Sequence, residues 1–324
     1  MTFRVFAAIA LLGVLVAGWA MWRPSASGAP GAAAGDAYAH TVASPAVMSD
    51  AALPTSDVAV AGTAAMALPQ TTLRPLQREF ERATDLFEFR QRLQPLAASG
   101  DADARWMLSR VDEYCAGFAR DPVGFGQDSA LIQGLQLDAT RALGAARDRI
   151  GTRCGRFVPG DAPTFVQLVE QRHEAAESGS LAAEASLLAM GTPLRDDMDY
   201  RRGLVGRVQA SRDPEAFAAL APAMGVAASG DIALADAVAG TQASELAWQL
   251  AACDLGLDCS ADGALMTQYC ANGGICARDA RQDFSTFVRD AAVPRQGAEE
   301  IDRMKNALVE DAPASRQLLG MVTP

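Results

Sequence analysis

The residues of this 324-residue chain best suited to chemistry are six cysteines and two histidines. The cysteines are Cys115, Cys154, Cys253, Cys259, Cys270 and Cys276. The last four lie in CDLGLDC and CANGGIC, two Cys-x5-Cys units with a glycine inside each. Four-cysteine zinc sites use spacers of about two to four residues, and dithiol redox catalysis uses Cys-x-x-Cys. Neither spacing is present, so no metal and no cofactor is expected. An even cysteine count in an exported chain reads instead as a disulfide framework. Cys115 and Cys154 form the natural leftover pair, closing a loop whose restriction contributes about 4 kcal/mol in the chain-entropy model. Within the cluster, local pairs Cys253–Cys259 and Cys270–Cys276 are preferred, because five residues with a glycine close without strain. The nested arrangement, Cys253–Cys276 with Cys259–Cys270, is the alternative and would cross-link two neighbouring helices.

The other candidates are weaker. His40 falls in a segment that reads as a linker, which leaves His173 as the one histidine of the folded region. It sits among Glu170, Arg172 and Glu174 and reads as a surface residue. Asp196, Asp197 and Asp199 in PLRDDMDYRR lack the regular oxygen spacing and central glycine of a calcium loop. They are expected to form a solvated turn paired with Arg201 and Arg202. Trp106 and Trp248 lie in helix-like runs and are expected in the core. No catalytic, cofactor-binding or metal-binding residue is assigned.

Charge and composition narrow the field further. Acids outnumber bases 39 to 28, for a net charge of −11. Nucleic acid is therefore not an expected partner, since phosphate binding needs clustered Lys and Arg. Residues 1–23 contain the uncharged run Val5 to Trp22, flanked by Arg4 and Arg23. Its length lies between a signal peptide and a spanning helix, with Trp19 and Trp22 where an interfacial belt belongs. An uncleaved inner-membrane anchor through residues 5–22 is the expectation, and a cleaved signal ending at Ala20 is the alternative. Residues 24–70, rich in Ala, Gly, Pro, Ser and Thr, read as a disordered spacer. A single Lys305 and abundant Arg and Ala suggest a high-GC bacterial source, which places residues 71–324 in the periplasm.

That last region carries the helical signal. Leu86, Phe89, Leu93 and Leu96 follow helical spacing behind the candidate cap Asp85. Phe165, Leu168, Val169 and Ala176 do so behind Pro163, as do Leu246, Leu250 and Cys253, then Phe284, Phe287 and Val288, then Ile301, Met304 and Leu308. Alternating strand patterns and hairpin turns are scarce, so the fold class is all-α. A turn signature occurs four times: a glycine that ends one helix in a left-handed conformation, a capping Asp or Ser, and small or apolar residues four and eight positions after the glycine. It reads Gly100-Asp101 with Ala104 and Leu108, and Gly179-Ser180 with Ala183 and Leu187. At Arg212-Asp213, with Ala216 and Leu220, Arg takes the glycine place. The fourth is Gly230-Asp231 with Leu234 and Val238. Four antiparallel helical hairpins are expected, in an irregular array, since the turns are 79, 33 and 18 residues apart.

The stretch AASGDADARWMLSR resembles the Sel-one-like, tetratricopeptide-related repeats, whose mark is a Gly-Asp turn between Ala-rich helices. More loosely, the layout is similar to that of uncharacterised exported proteobacterial helical proteins. The resemblance implies binding rather than chemistry. The functional expectation is a membrane-tethered periplasmic helical scaffold that binds a protein or cell-wall component. Two alternatives stand beside it. Glu177-Ser178 resembles the short acidic motif of lysozyme-like transglycosylases, which would make the chain a cell-wall hydrolase. The anchor, spacer and helical body also resemble lipase foldases, which would make it a steric chaperone for a secreted enzyme.

Overall fold

The computed structural model describes residues 74–292 and 295–310, all of them within the compact unit Ala65–Pro324. The proposed anchor, the spacer with His40, and the last residues lie outside the described part. Thirteen α-helices and no strand are found among the described residues. They are α1 (Pro75–Arg82), α2 (Leu86–Ala98), α3 (Ala102–Arg120), α4 (Pro122–Gly134), α5 (Asp138–Cys154), α6 (Phe165–Glu177) and α7 (Leu181–Ala189). After these come α8 (Met198–Ser211), α9 (Pro214–Met224), α10 (Gln242–Asp254), α11 (Ala264–Gly273), α12 (Phe284–Phe287) and α13 (Arg295–Val309). Among the described residues no helix is long and apolar enough to cross a membrane.

All four turn residues adopt the left-handed conformation the sequence demands: φ is +93° at Gly100, +102° at Gly179, +80° at Gly230 and +51° at Arg212. At the first two turns the backbone closes in the same way. The Gly100 and Asp101 amides donate to the Ala97 and Leu96 carbonyls, and the Gly179 and Ser180 amides donate to those of Ala176 and Ala175. Each following residue then caps the next element: Asp101 accepts from the Ala104 amide, Ser180 from Ala183, Asp213 from Glu215 and Asp231 from Ala233. The small residues four places on, Ala104, Ala183 and Ala216, are fully buried, which lets neighbouring backbones approach closely.

The array departs from four regular hairpins in two ways. After Gly230 the chain forms only a 3-10 turn, Ile232–Leu234, and no α-helix before Gly240, although Leu234 and Val238 keep the expected apolar spacing. The wide gap between the first two turns is an insertion. Helix α3 packs directly on α6, while the intervening α4 and α5 pack as their own hairpin. That hairpin is stapled at its base by Cys115–Cys154, whose Cα atoms are 5.5 Å apart. It is stitched internally: the Arg147 guanidinium donates to the Ser129 hydroxyl and the Phe125 carbonyl and covers the Phe125 ring. Beyond it, α7 packs on α9, α9 on α10, and α10 on α13.

Both remaining disulfides are local, Cys253–Cys259 and Cys270–Cys276, so the nested alternative is ruled out. Each ties the C-terminal end of a helix to the loop after it, where Gly256 and Gly274 turn the chain at positive φ. Two of the expected apolar faces are misplaced. Leu96 is 43% exposed and Ala97 takes its inward place, since helical rotation leaves Leu96 about 80° from Leu86 and brings Ala97 to within about 20° of it. Phe165 is 61% exposed, and the buried positions of α6 are Arg172 and Ala175. That inversion marks the site.

Candidate functional site: a charged pocket between helices

A pocket of about 260 Å³ opens where α1, α3, α6, α7, α9 and α11 converge. Its charged wall is built at helical spacing. Trp106, Arg110 and Glu113 occupy i, i+4 and i+7 of α3, and Glu215 stands in the first turn of α9. Arg172 enters from α6, Glu81 from the last turn of α1, and Asp258 from the loop before α11. The rest of the wall is small and apolar, including Ala218, Ala219, Pro222 and Leu265.

Trp106 organises the centre. Its indole N–H donates to Glu215 Oε2 at 3.2 Å, and the Arg110 and Arg172 guanidiniums lie 5.9 and 5.5 Å from its ring centre. Cations over an indole face gain from the ring quadrupole, more so out of water. Arg110 Nε stands 3.4 Å from Glu215 Oε2, and Arg172 Nη2 donates to Glu113 Oε2 at 2.6 Å. The Glu215 and Arg172 side chains are only 2% and 3% exposed. Such buried charges persist only when paired, yet the pairing here is incomplete. The Nε–H groups of Arg110 and Arg172 are buried without a hydrogen-bond partner.

The electrostatics follow from this crowding. Burial pushes the Glu81 carboxyl up from 4.5 to about 7. The Ala264 amide and Arg110 pull against that shift, and Asp258 and Glu215 add to it. The amide contact has a structural meaning. Helix α11 has no side-chain cap of its own, and Glu81 Oε2 accepts from the Ala264 amide at 3.1 Å across the fold. Burial lowers Arg172, more than Glu113 restores, with Arg110 repelling it as well. Burial also acts to lower Arg110, but Glu215, Glu113 and Glu81 outweigh it and its pKa is raised.

The residues singled out in the sequence lie elsewhere, Trp106 excepted. All six cysteines are paired and none is free. Trp248 is in the core, its indole N–H donating to the Val238 carbonyl at 2.8 Å. Asp196 pairs with Arg201 and Asp199 with Arg202, while Asp197 caps α8 by accepting from the Tyr200 amide, so this is a charged turn as expected. His173 is half-buried on α6 beside Arg172 and is not among the pocket residues. Glu177 is exposed at the end of α6. Ser178 accepts from Arg105 Nη1 and donates to the Glu174 carbonyl, so it braces two turns of the array. The acidic motif therefore does not line the pocket. Among the described residues, no group of three His, Cys, Asp or Glu side chains is gathered closely enough to hold a metal ion.

Fold and site together define a disulfide-stapled, all-α array with a mixed-charge pocket where six of its helices converge. Comparison with known protein families, curated proteins and solved structures gives no match for the chain.

Proposed function

We propose that the chain is a helical binding module of the bacterial periplasm, tethered by residues 5–22, with residues 24–70 as its spacer. In this reading it carries out no catalytic step. The pocket carries the reading: a concave, mostly apolar site with a few convergent charged groups is the usual form of a ligand site. Complete disulfide pairing supports an oxidising compartment. The Gly-Asp turns support kinship with Sel-one-like arrays, which are binding scaffolds. The test is photocrosslinking in intact cells from a photoreactive residue at position 268, on the pocket rim. A discrete adduct, lost when the probe is moved to exposed position 199, supports the module. Identical labelling from both positions contradicts it.

A second reading, cell-wall hydrolysis, draws on one observation. Glu81, whose carboxyl burial raises to about 7, shares the pocket with Glu215, and cell-wall glycoside hydrolysis uses a pair of carboxyl groups of which the acid has a raised pKa. Muropeptide release by the purified protein, abolished in Glu81→Gln, would favour it over the binding module.

A further inference from the structure

The pocket's unmet chemistry is two-sided. Four carboxyl groups line it, Glu81, Glu113, Glu215 and Asp258, against two guanidiniums, Arg110 and Arg172. Arg172 is committed to Glu113, which leaves Glu81, Glu215 and Asp258 facing a single Arg110. That half of the pocket lacks a positive charge. The carboxylates are spread around the wall and are not clustered as metal ligands, so the missing charge belongs to a group larger than a bare ion. The other half lacks an acceptor. The side chain of Arg172 is 3% exposed, and its Nε–H is buried with no hydrogen-bond partner; that of Arg110 makes no hydrogen bond either, although it stands 3.4 Å from Glu215 Oε2 as an ion pair. Leaving a buried donor unpaired is destabilising, so both guanidiniums carry unmet hydrogen-bonding capacity. A volume of about 260 Å³ lies just below the range of roughly 300–1,000 Å³ typical of drug-sized ligands, and suits a molecule of amino-acid size.

Resting on the reading of the chain as a binding module, we propose that the pocket takes the amino-acid moiety of a small zwitterion. The ammonium sits against Glu81, Glu215 and Asp258, and the carboxylate sits against Arg110 and Arg172. Small apolar walls at Ala218, Ala219 and Leu265 leave room for a short side chain. Binding requires Glu81 to be ionised, and its carboxyl is raised by burial to about 7. The ligand's ammonium therefore competes with a proton, and affinity rises with pH.

Isothermal titration of the purified full-length protein with L-alanine, L-lysine, putrescine and acetate, at pH 6 and pH 8, tests this. Both amino acids are expected to bind, putrescine and acetate at least tenfold more weakly. Alanine affinity is expected to rise about tenfold from pH 6 to pH 8, the change in the ionised fraction of a group titrating near 7. Glu81→Gln keeps an oxygen for the Ala264 amide, so α11 remains capped. It should bind as the wild type does at pH 6, with a flat pH profile. Asp258→Asn likewise keeps the acceptor for the Ser260 amide and should weaken alanine binding at pH 8. Putrescine binding as tightly as alanine would overturn the carboxylate half, and acetate doing so would overturn the ammonium half. No binding by either amino acid, or an unchanged pH profile in Glu81→Gln, would overturn the proposal outright. A specific adduct from position 268 would still uphold the binding module in those cases, so the two failures are distinguishable.

Discussion

At the scale of single residues, two backbone and side-chain placements make sharp demands. Gly179 has φ +102° with open space where a side chain would go, so conformation alone sets the cost of replacing it. Gly179→Ala is expected to lose about 1–2 kcal/mol, the penalty of an L-residue in the left-handed region, as read by urea unfolding at constant slope. Glu81 makes the opposite demand. Its carboxyl titrates at about 7 in the folded protein against 4.5 ordinarily. Below pH 4.5 it is protonated in both states and contributes nothing. Between pH 4.5 and 7 the unfolded chain releases the proton and the folded one retains it. Stability therefore falls with rising pH through this window and is lowest above it, by about 3 kcal/mol. Glu81→Gln should remove that slope. It should melt above the wild type at pH 8 and close to it at pH 4.5. Equal melting differences at both pH values would contradict a buried, charge-crowded Glu81.

Among the helices, α4 buries little of its own surface. Ser129 is the one buried residue of α4, and Val123 and Leu131 of the same helix are exposed. The place of the α4–α5 hairpin in the fold depends on Cys115–Cys154, both fully buried, and on α5 packing against α11. Replacing both cysteines by serine is expected to cost about 4 kcal/mol, since the bridge spans 39 residues. Hydrogen exchange should accelerate in α4 and α5 first, while α9 and α10 keep their protection. What the sequence made legible follows the same division between local and distant. Asp101, Ser180 and Asp213 announce helix starts because a cap and its amide lie two or three residues apart. The local disulfides were legible because six residues of separation limit the alternatives. The pocket was not. Glu81, Arg172, Glu215 and Asp258 come from separate elements, and no short motif joins them. One trace existed: Trp106, Arg110 and Glu113 give α3 a charged face at helical spacing. The apolar residues of α6 misled because Phe165 lies at the exposed start of its helix, while Arg172 turns inward to the pocket.

For the whole molecule, a core rich in alanine sets the balance. Ala104, Ala183, Ala185, Ala216, Ala221, Ala247, Ala251 and Ala252 are all fully buried. Each contributes close backbone approach but little apolar area, and burial stabilises by roughly 25 cal/mol per Å². Short helices do not stand alone in water, so the array depends on its neighbours and its staples. In the chain-entropy model the two local bridges contribute about 2 kcal/mol each and Cys115–Cys154 about 4. Together they are comparable to the 5–15 kcal/mol that separates a typical folded domain from its unfolded state. Reduction should therefore lower the melting temperature by roughly 15–30 °C, at the 2–4 °C per kcal/mol expected for a domain of about this length. Alkylation of the unreduced protein should label no cysteine, and digestion should release Cys253–Cys259 and Cys270–Cys276 as separate linked peptides. An unchanged melting temperature in reductant, or a peptide joining Cys253 to Cys276, would show that packing and not this covalent framework holds the array together.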